Sequence, residues 1–518
     1  MISNPCYREN LSELLLRSSD RSSTEVLYLY KESRIKRTQF SASVRALASE
    51  LESVINPGDH ILIMLNDSPS LAQMFLAIIA VGGVPAIINP KIRCETIEAM
   101  ISQKTPAFIV TSFEKAHTLP HWSDIEIILL EEDLQADNGL SPEQYGFAKG
   151  NPEWDDFYET SSEALCYLQY TSGSTGTPKG VMHSAAGTLA FCEAVAGKLL
   201  SLNNQHVCYS APKMFFGYGM GNSLFFPLYA GCTAILDDAW PTPKGIIDNI
   251  TRYMPSVLFA VPAIYNALQG HASLIARSIE HAVSAGAPLP ETEYRYWLKQ
   301  GVEVCDGIGA TEVGHIFLAN RPGNTRAGAT GRVLPGYECM LVDDNGDEIS
   351  APDTQGVLLV RGDSVSSGYY GQHEKTSEKF NQGWYRTGDN FVMDADGYYY
   401  YRGREDDMFK VNGRWVTPAL IEQSLLVQFP SLLECALVPS SGGATPSQPI
   451  LFLVADQKIV TARSVLEFVQ NRFDSYMHPV EILYLDSLPR NDNGKVVRKE
   501  MTMIASQHTE SVETSECA

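Results

Sequence analysis

Residues 169–184 read QYTSGSTGTPKGVMHS, with three glycines, a proline, a lysine and a run of hydroxyl side chains. Glycine, serine and threonine at this density make either a phosphate-binding loop or a mobile linker. A P-loop of the G-x-x-x-x-G-K-[ST] type needs a hydroxyl residue after its lysine. Here Pro178 precedes Lys179 and Gly180 follows it, so that pattern fails at two positions. Gly173 and Gly176 still allow successive backbone N–H groups to turn inward as an anion nest. Taken alone, the segment leaves nest and linker equally open.

The rest of the chain narrows the choice. It has 518 residues, 44% hydrophobic and 19% charged, with a formal net charge of −22. This is an ordinary globular composition, long enough for more than one core. So acidic a surface argues against a nucleic-acid groove or an anionic membrane face. The start, MISNPCYREN, lacks the basic and apolar regions of a secretory signal. The most apolar stretch is broken by Gly82, Gly83 and Pro85, so no membrane-inserting helix is expected. Ten scattered cysteines without a C-x-x-C pair fit free thiols in a reducing cytoplasm and no structural zinc.

Residues 60–90, HILIMLNDSPSLAQMFLAIIAVGGVPAIINP, read as strand, polar cap, apolar helix, Gly-Gly turn and strand. Such a βαβ unit predicts a parallel sheet. PAFIVT (106–111), IEIILL (125–130), CTAILDD (232–238) and SVLFAVP (256–262) fit further buried strands. The acidic stretch 131–163, with Lys149 its only basic residue, is expected on the surface. Beyond about residue 330, Asn-Gly and Asp-Gly pairs between strand-like runs predict antiparallel hairpins. From about 407 a compact α+β unit is expected, ending in a frayed polar tail.

A second motif removes the ambiguity at 169–184. VCDGIGATEVGH (304–315) places Thr311-Glu312 just after two glycines that follow a strand, and YRTGD (385–389), GREDD (403–407) and LPRNDNGK (488–495) come after it. These five motifs, in this order, resemble the adenylate-forming superfamily of acyl/aryl-CoA ligases, carrier-loading adenylation domains and luciferases. The resemblance implies an α/β fold. Residues 1–405 would form a large N-terminal adenylate-forming domain, with parallel-sheet subdomains and an antiparallel β subdomain. Residues 406–518 would form a small mobile α+β domain with its hinge at Asp406.

The same resemblance implies site roles. Thr171, Ser172, Gly173, Ser174, Thr175, Gly176, Thr177 and Lys179 would hold the ATP phosphates. Glu312, with Thr175, would bind Mg²⁺, an ion suited to oxygen donors and retained water. Ala285, Gly286, Asp306, Gly307, Gly309 and Thr311 would contact the AMP moiety. Asp389, aided by Arg404, would accept from both ribose hydroxyls. Lys495 would bring its ammonium to the attacking carboxylate and the α-phosphate, where negative charge develops. Lys410 would help place the carboxylate, and Gly413, in KVNGRW, would line the pantetheine tunnel of CoA.

For the acid, KMFFGYGMGNSLFFP (213–227) combines aromatics with glycines in a way that suits a flat slot rather than a long tunnel. Together with DGIGATEVGH it resembles the benzoate-CoA ligase branch. That resemblance puts Phe216, Gly217, Tyr218, Gly219, Ala285, Gly286, Ile308, Gly309 and His315 around an aromatic acid, anthranilate first. His315 would accept from a ring amine or donate to the carboxylate. Transfer of the acyl group to a carrier protein instead of free CoA stays open, as does a homodimer.

Overall fold

The computed structural model describes residues 9–20, 25–120, 122, 125–130, 150–172, 178–440, 447–491 and 495–506. The expected βαβ unit forms at its expected place. Strand His60–Met64 leads through helix Pro69–Ala80 to strand Val84–Ile87, which pairs parallel to the first. The Ser68 hydroxyl accepts from Leu71 N at 3.2 Å, and Pro69, lacking an N–H, costs nothing at the first helical position. Gly82, at φ +87°, makes the turn back to the sheet. Strands Phe108–Ser112 and Glu126–Leu130 complete a four-stranded parallel sheet.

A nine-stranded sheet carries the elements that matter for function. Its order is Arg332–Val333, Ile316–Ala319, Val304–Gly309, His281–Ser284, Val257–Ala260, Val207–Ser210, Thr233–Leu236, Val26–Tyr30 and Ser33–Lys36. The run from Val304–Gly309 to Val26–Tyr30 is parallel throughout. Its central strands are buried on both faces and correspondingly apolar, as in VLFA at 257–260. The hairpins expected beyond residue 330 are present: strand Trp384–Met393 pairs antiparallel with Phe380–Asn381 and with Tyr399–Arg404.

The chain forms two compact units. One comprises 1–289, 293–339 and 360–385; the other comprises 290–292, 340–359 and 386–518. The second has the α+β texture read from the sequence. Strands Glu434–Pro439, Pro449–Val454 and Glu481–Tyr484 pack with helices Pro418–Gln428 and Ala462–Arg472 around Val416, Ile421, Leu437, Leu451 and Val465. Residues 386–405, which precede the expected boundary, belong to this unit too. Asn390 Nδ2 lies 3.3 Å from the Met408 sulfur, and a Cβ on Gly403 would come within 3.0 Å of the Ala419 methyl. Of the stretch 131–163 expected on the surface, residues 150–163 are mostly exposed, although Trp154 and Phe157 are buried, while 131–149 and the terminal residues 507–518 lie outside the described residues.

Candidate active site

The hydroxyl-rich loop joins two antiparallel strands, Leu165–Ser172 and Pro178–Ser184, with Ser172 opposite Pro178 and Thr171 opposite Lys179. A P-loop instead joins a strand to a helix. Geometry therefore agrees with the failed sequence pattern. The loop residues Gly173, Ser174, Thr175, Gly176 and Thr177 lie outside the described residues, as does the Ser172 side chain.

Lys179, on the second strand, places its ammonium 4.9 Å from the centre of the Tyr369 ring. Tyr369 reaches this strand through its own segment: Tyr370 N donates to Gly180 O at 2.8 Å and Met182 N to Gly368 O at 3.1 Å. The Tyr369 hydroxyl in turn donates to Glu312 Oε1 at 2.7 Å. Burial pushes the Tyr369 phenol well up, and the Glu312 carboxylate adds to that rise, so the hydroxyl stays a donor. The Lys179 ammonium is lowered by burial and drawn back up by Glu312. A lysine, a phenol and a buried carboxylate thus converge in the first unit. Sequence reasoning found Lys179 and Glu312 and missed Tyr369, which lies in SSGYYG (366–371), outside every motif used.

Glu312 stands in a short turn, Thr311–Val313, directly after strand Val304–Gly309. Asp306, on that strand, is buried. Its carboxyl accepts from Leu289 and Gly307 N–H, and burial raises its pKa well above the ordinary range. Asp306 Oδ1 has no partner among the described residues, and neither does Ser284 Oγ on the adjacent strand, whose residue is in register with it. Both are at the carboxyl ends of parallel strands, as are Ala285-Gly286 and Ser210. Ligands of open α/β sheets bind at that edge. Gly286 has φ +88° and is exposed, leaving backbone accessible to a flat base.

The segment after strand Val207–Ser210 carries residues expected to surround the acid. A short helix, Gly217–Met220, runs into a wider π-helical turn over Gly221–Phe225, just before Pro227, which has no N–H for the Ser223 carbonyl. The glycines here answer to the protein itself. A Cβ on Gly219 would lie 2.1 Å from Lys213 O, one on Gly221 2.4 Å from His315 Cδ2, and one on Gly217 2.9 Å from Gln169 Oε1. Their missing side chains admit backbone, imidazole and amide rather than leaving open space. Tyr218 donates its hydroxyl to Val283 O at 2.9 Å, tying the segment to the sheet.

His315 is buried against the rings of Phe191, Tyr218 and Phe226. Its Nε2 lies 3.2 Å from Asn222 Oδ1 and 3.3 Å from Tyr218 O, while Nδ1 has no partner among the described residues. Burial pushes its pKa down to about 3, so the ring is neutral. Ile308 is half-buried, Gly309 is exposed, and Phe216 is half-buried.

In the second unit, strand register sets Asp389 opposite Arg404, with Arg404 Nη1 3.4 Å from Asp389 Oδ1. Asp406 is exposed within the short turn Glu405–Asp407. The next residue, Asp407, pairs with Arg498 at 3.0 Å, and Arg498 also grips Glu422 through two bonds of 2.7 and 2.8 Å. Lys410 lies over the Trp415 ring at 4.6 Å on a two-strand ribbon closed by Asn412-Gly413. Both turn residues have positive φ, +50° and +76°, so glycine at 413 relieves a left-handed position, and open space surrounds it. Lys495 is exposed, and its N–H donates to Asn491 Oδ1 at 3.0 Å.

A buried glutamate after a sheet strand, linked through a tyrosine to a lysine-bearing hairpin, is the equipment of an adenylate-forming enzyme. The chain belongs to the AMP-binding enzyme family, whose model matches residues 17–370. Its relatives make the likeness more particular. It is 44% identical over 506 residues, 96% of each chain, to the anthranilate–CoA ligase of Pseudomonas aeruginosa. It is 34% identical over 475 residues to the 4-hydroxybenzoate–CoA/benzoate–CoA ligase of Rhodopseudomonas palustris, covering 88% of this chain and 86% of that one. Among solved structures it resembles the anthranilate CoA ligase AuaEII in complex with anthranoyl-AMP, with TM-score 0.85 and 26% identity over 98% and 99% of the two chains. A benzoate CoA ligase from Burkholderia xenovorans matches with TM-score 0.86 and 29% identity over 95% and 100%. Among the described residues no helix is long and apolar enough to cross a membrane.

Proposed function

We propose that the chain is an AMP-forming ligase that joins anthranilate to CoA through an anthraniloyl-adenylate. The observation that carries the choice of acid is the bare Nδ1 of His315, a buried acceptor among aromatic rings. An ortho amine fills that hydrogen-bonding vacancy; benzoate does not. The 44% identity to an anthranilate–CoA ligase supports the same reading.

In the first half-reaction a carboxylate oxygen attacks the α-phosphorus of ATP and diphosphate leaves. Catalysis is mainly placement and charge stabilisation. Lys179 and the 171–177 loop hold phosphate oxygens, Asp306 accepts from the adenine edge beside Gly307, Gly309 and Thr311, and Asp389 accepts from the ribose. Lys495 stabilises the charge that develops at the α-phosphate, and Lys410 helps to place the carboxylate. Glu312 fits Mg²⁺: its donors are oxygens, and no cluster of three metal-ligating side chains is present among the described residues. This suits an ion held by one carboxylate and substrate phosphates. When bound, with Glu312 and Thr175 as ligands, it would neutralise phosphate charge.

In the second half-reaction the CoA thiol attacks the acyl carbon and AMP leaves. Asp406 acts as the hinge that exchanges Lys495 for the KVNGRW segment, with Gly413 along the pantetheine path. Free CoA is the acceptor we favour over a carrier protein, because the relatives at 44% and 34% identity are CoA ligases. Measuring CoA-dependent AMP release with anthranilate, benzoate, salicylate and octanoate tests the assignment. Anthranilate should lead, and a preference for octanoate would refute it.

A further inference from the structure

Asn222 is fully buried in the π-helical turn Gly221–Phe225, ahead of the apolar run LFFP, and no role in the reaction explains it so far. Its hydrogen bonds form a directed chain. Ser210 Oγ donates to Pro212 O at 2.9 Å, which spends the only proton of that hydroxyl. Asn222 Nδ2 donates to Ser210 Oγ at 3.2 Å, so the amide presents its oxygen on the other side, where His315 Nε2 lies 3.2 Å away. The Tyr218 carbonyl, which can only accept, lies 3.3 Å from the same nitrogen. Two acceptors facing one ring nitrogen require that nitrogen to carry the proton. In a neutral imidazole the other nitrogen is then bare, and Nδ1 is the atom without a partner.

We propose that Asn222 is a positioning residue that sets ring specificity, holding His315 as its Nε2–H tautomer so that bare Nδ1 accepts from a donor ortho to the substrate carboxylate. This rests on the reading of His315 as a wall of the aryl pocket. It extends that reading to a class rule: ortho N–H or O–H substituents are favoured, and ortho groups that only accept, such as fluorine, are repelled. Gly221 is part of the device, since a Cβ there would strike the imidazole and break the register with Asn222.

The rule is tested by the ratio of anthranilate to 2-fluorobenzoate kcat/KM in wild type, Asn222→Leu, His315→Ala and the double variant. Asn222→Leu should lower the ratio about five- to tenfold, the worth of one buried hydrogen bond. In the His315→Ala background the same change should leave the ratio where it is. If His315→Ala shifts the ratio but Asn222→Leu does not, the tautomer lock is wrong and the aryl reading stands. If His315→Ala leaves the ratio unchanged, the aryl role of His315 falls and the lock with it. Should Asn222→Leu fail to fold, nitrogen-15 NMR of histidine-labelled wild type decides the matter. His315 must show a bare Nδ1 and a protonated Nε2; the opposite pattern overturns the proposal.

Discussion

The Tyr369 hydroxyl donates a 2.7 Å hydrogen bond to Glu312 Oε1 across 57 residues of sequence. One carboxylate oxygen is thereby committed and the group's orientation is fixed. Partners that orient a metal ligand, the role proposed for Glu312, typically contribute about 10–100-fold to affinity or activity. Tyr369→Phe should therefore raise the Mg²⁺ concentration needed for half-maximal adenylation by about tenfold, read by pyrophosphate release at fixed ATP. An unchanged Mg²⁺ requirement would show that the phenol only packs against Lys179.

Lys495 should serve one half-reaction. Removing an electrostatic stabiliser from such a transition state costs on the order of 10²–10³ in rate. Lys495→Ala should lose adenylate formation to that extent. Given synthetic anthraniloyl-AMP and CoA, it should make thioester at close to the wild-type rate. Equal losses in both halves would remove the case for a hinge at Asp406.

Asp67 gives a pH prediction. Its carboxylate is buried, accepts from Met214 N at 3.1 and 3.2 Å, and is pushed up to about 6, chiefly by burial and against the pull of Lys213. A free aspartate titrates near 3.9. The fold thus favours the protonated form, and that contribution is whole below about pH 4 and lost as pH rises through 6. Relative to Asp67→Asn, wild type should lose on the order of 2–3 kcal/mol between pH 4 and 8. Thermal melts of both proteins across that range should show a widening gap, and a constant gap would place the titration elsewhere.

Arg37 predicts a stability loss remote from the chemistry. Buried, its guanidinium donates to Ser19 Oγ at 2.7 Å, Pro227 O at 3.2 Å and Cys232 O at 2.5 Å. Arg37→Met leaves these acceptors without their donor, a loss of about 3 kcal/mol or more. Denaturant melts should reveal it. A variant as stable as wild type would mean that water replaces the guanidinium.

Where local pattern decided an element, the sequence could be read. The apolar run VLFA at 257–260 became a buried strand, and Ser68-Pro69 began a helix, because each carries its reason within a few residues. Glu312 and His315 stood out as candidates because they travel with glycines in one short loop. Tyr369, Asn222 and Ser210 did not. Their hydrogen bonds reach partners 57, 93 and 12 residues away, and a single buried amide carries no periodic signal. The sequence also could not show that residues 386–405 pack against Met408 and Ala419, since that depends on Gly403 at φ +108° admitting a helix closely.

The crowding at Gly217, Gly219 and Gly221, in the segment proposed to wall the acid pocket, bears on attempts to broaden the proposed activity. An engineer seeking room for bulkier acids would be tempted to vary positions 217, 219 and 221, but each already abuts protein at 2.9 Å or less. Libraries there should return misfolded chains rather than new activities. Diversity is better invested at Phe216 and Ile308, both half-buried, where a change of volume need not displace backbone. The wall is therefore tunable at its side chains and closed to redesign along its spine.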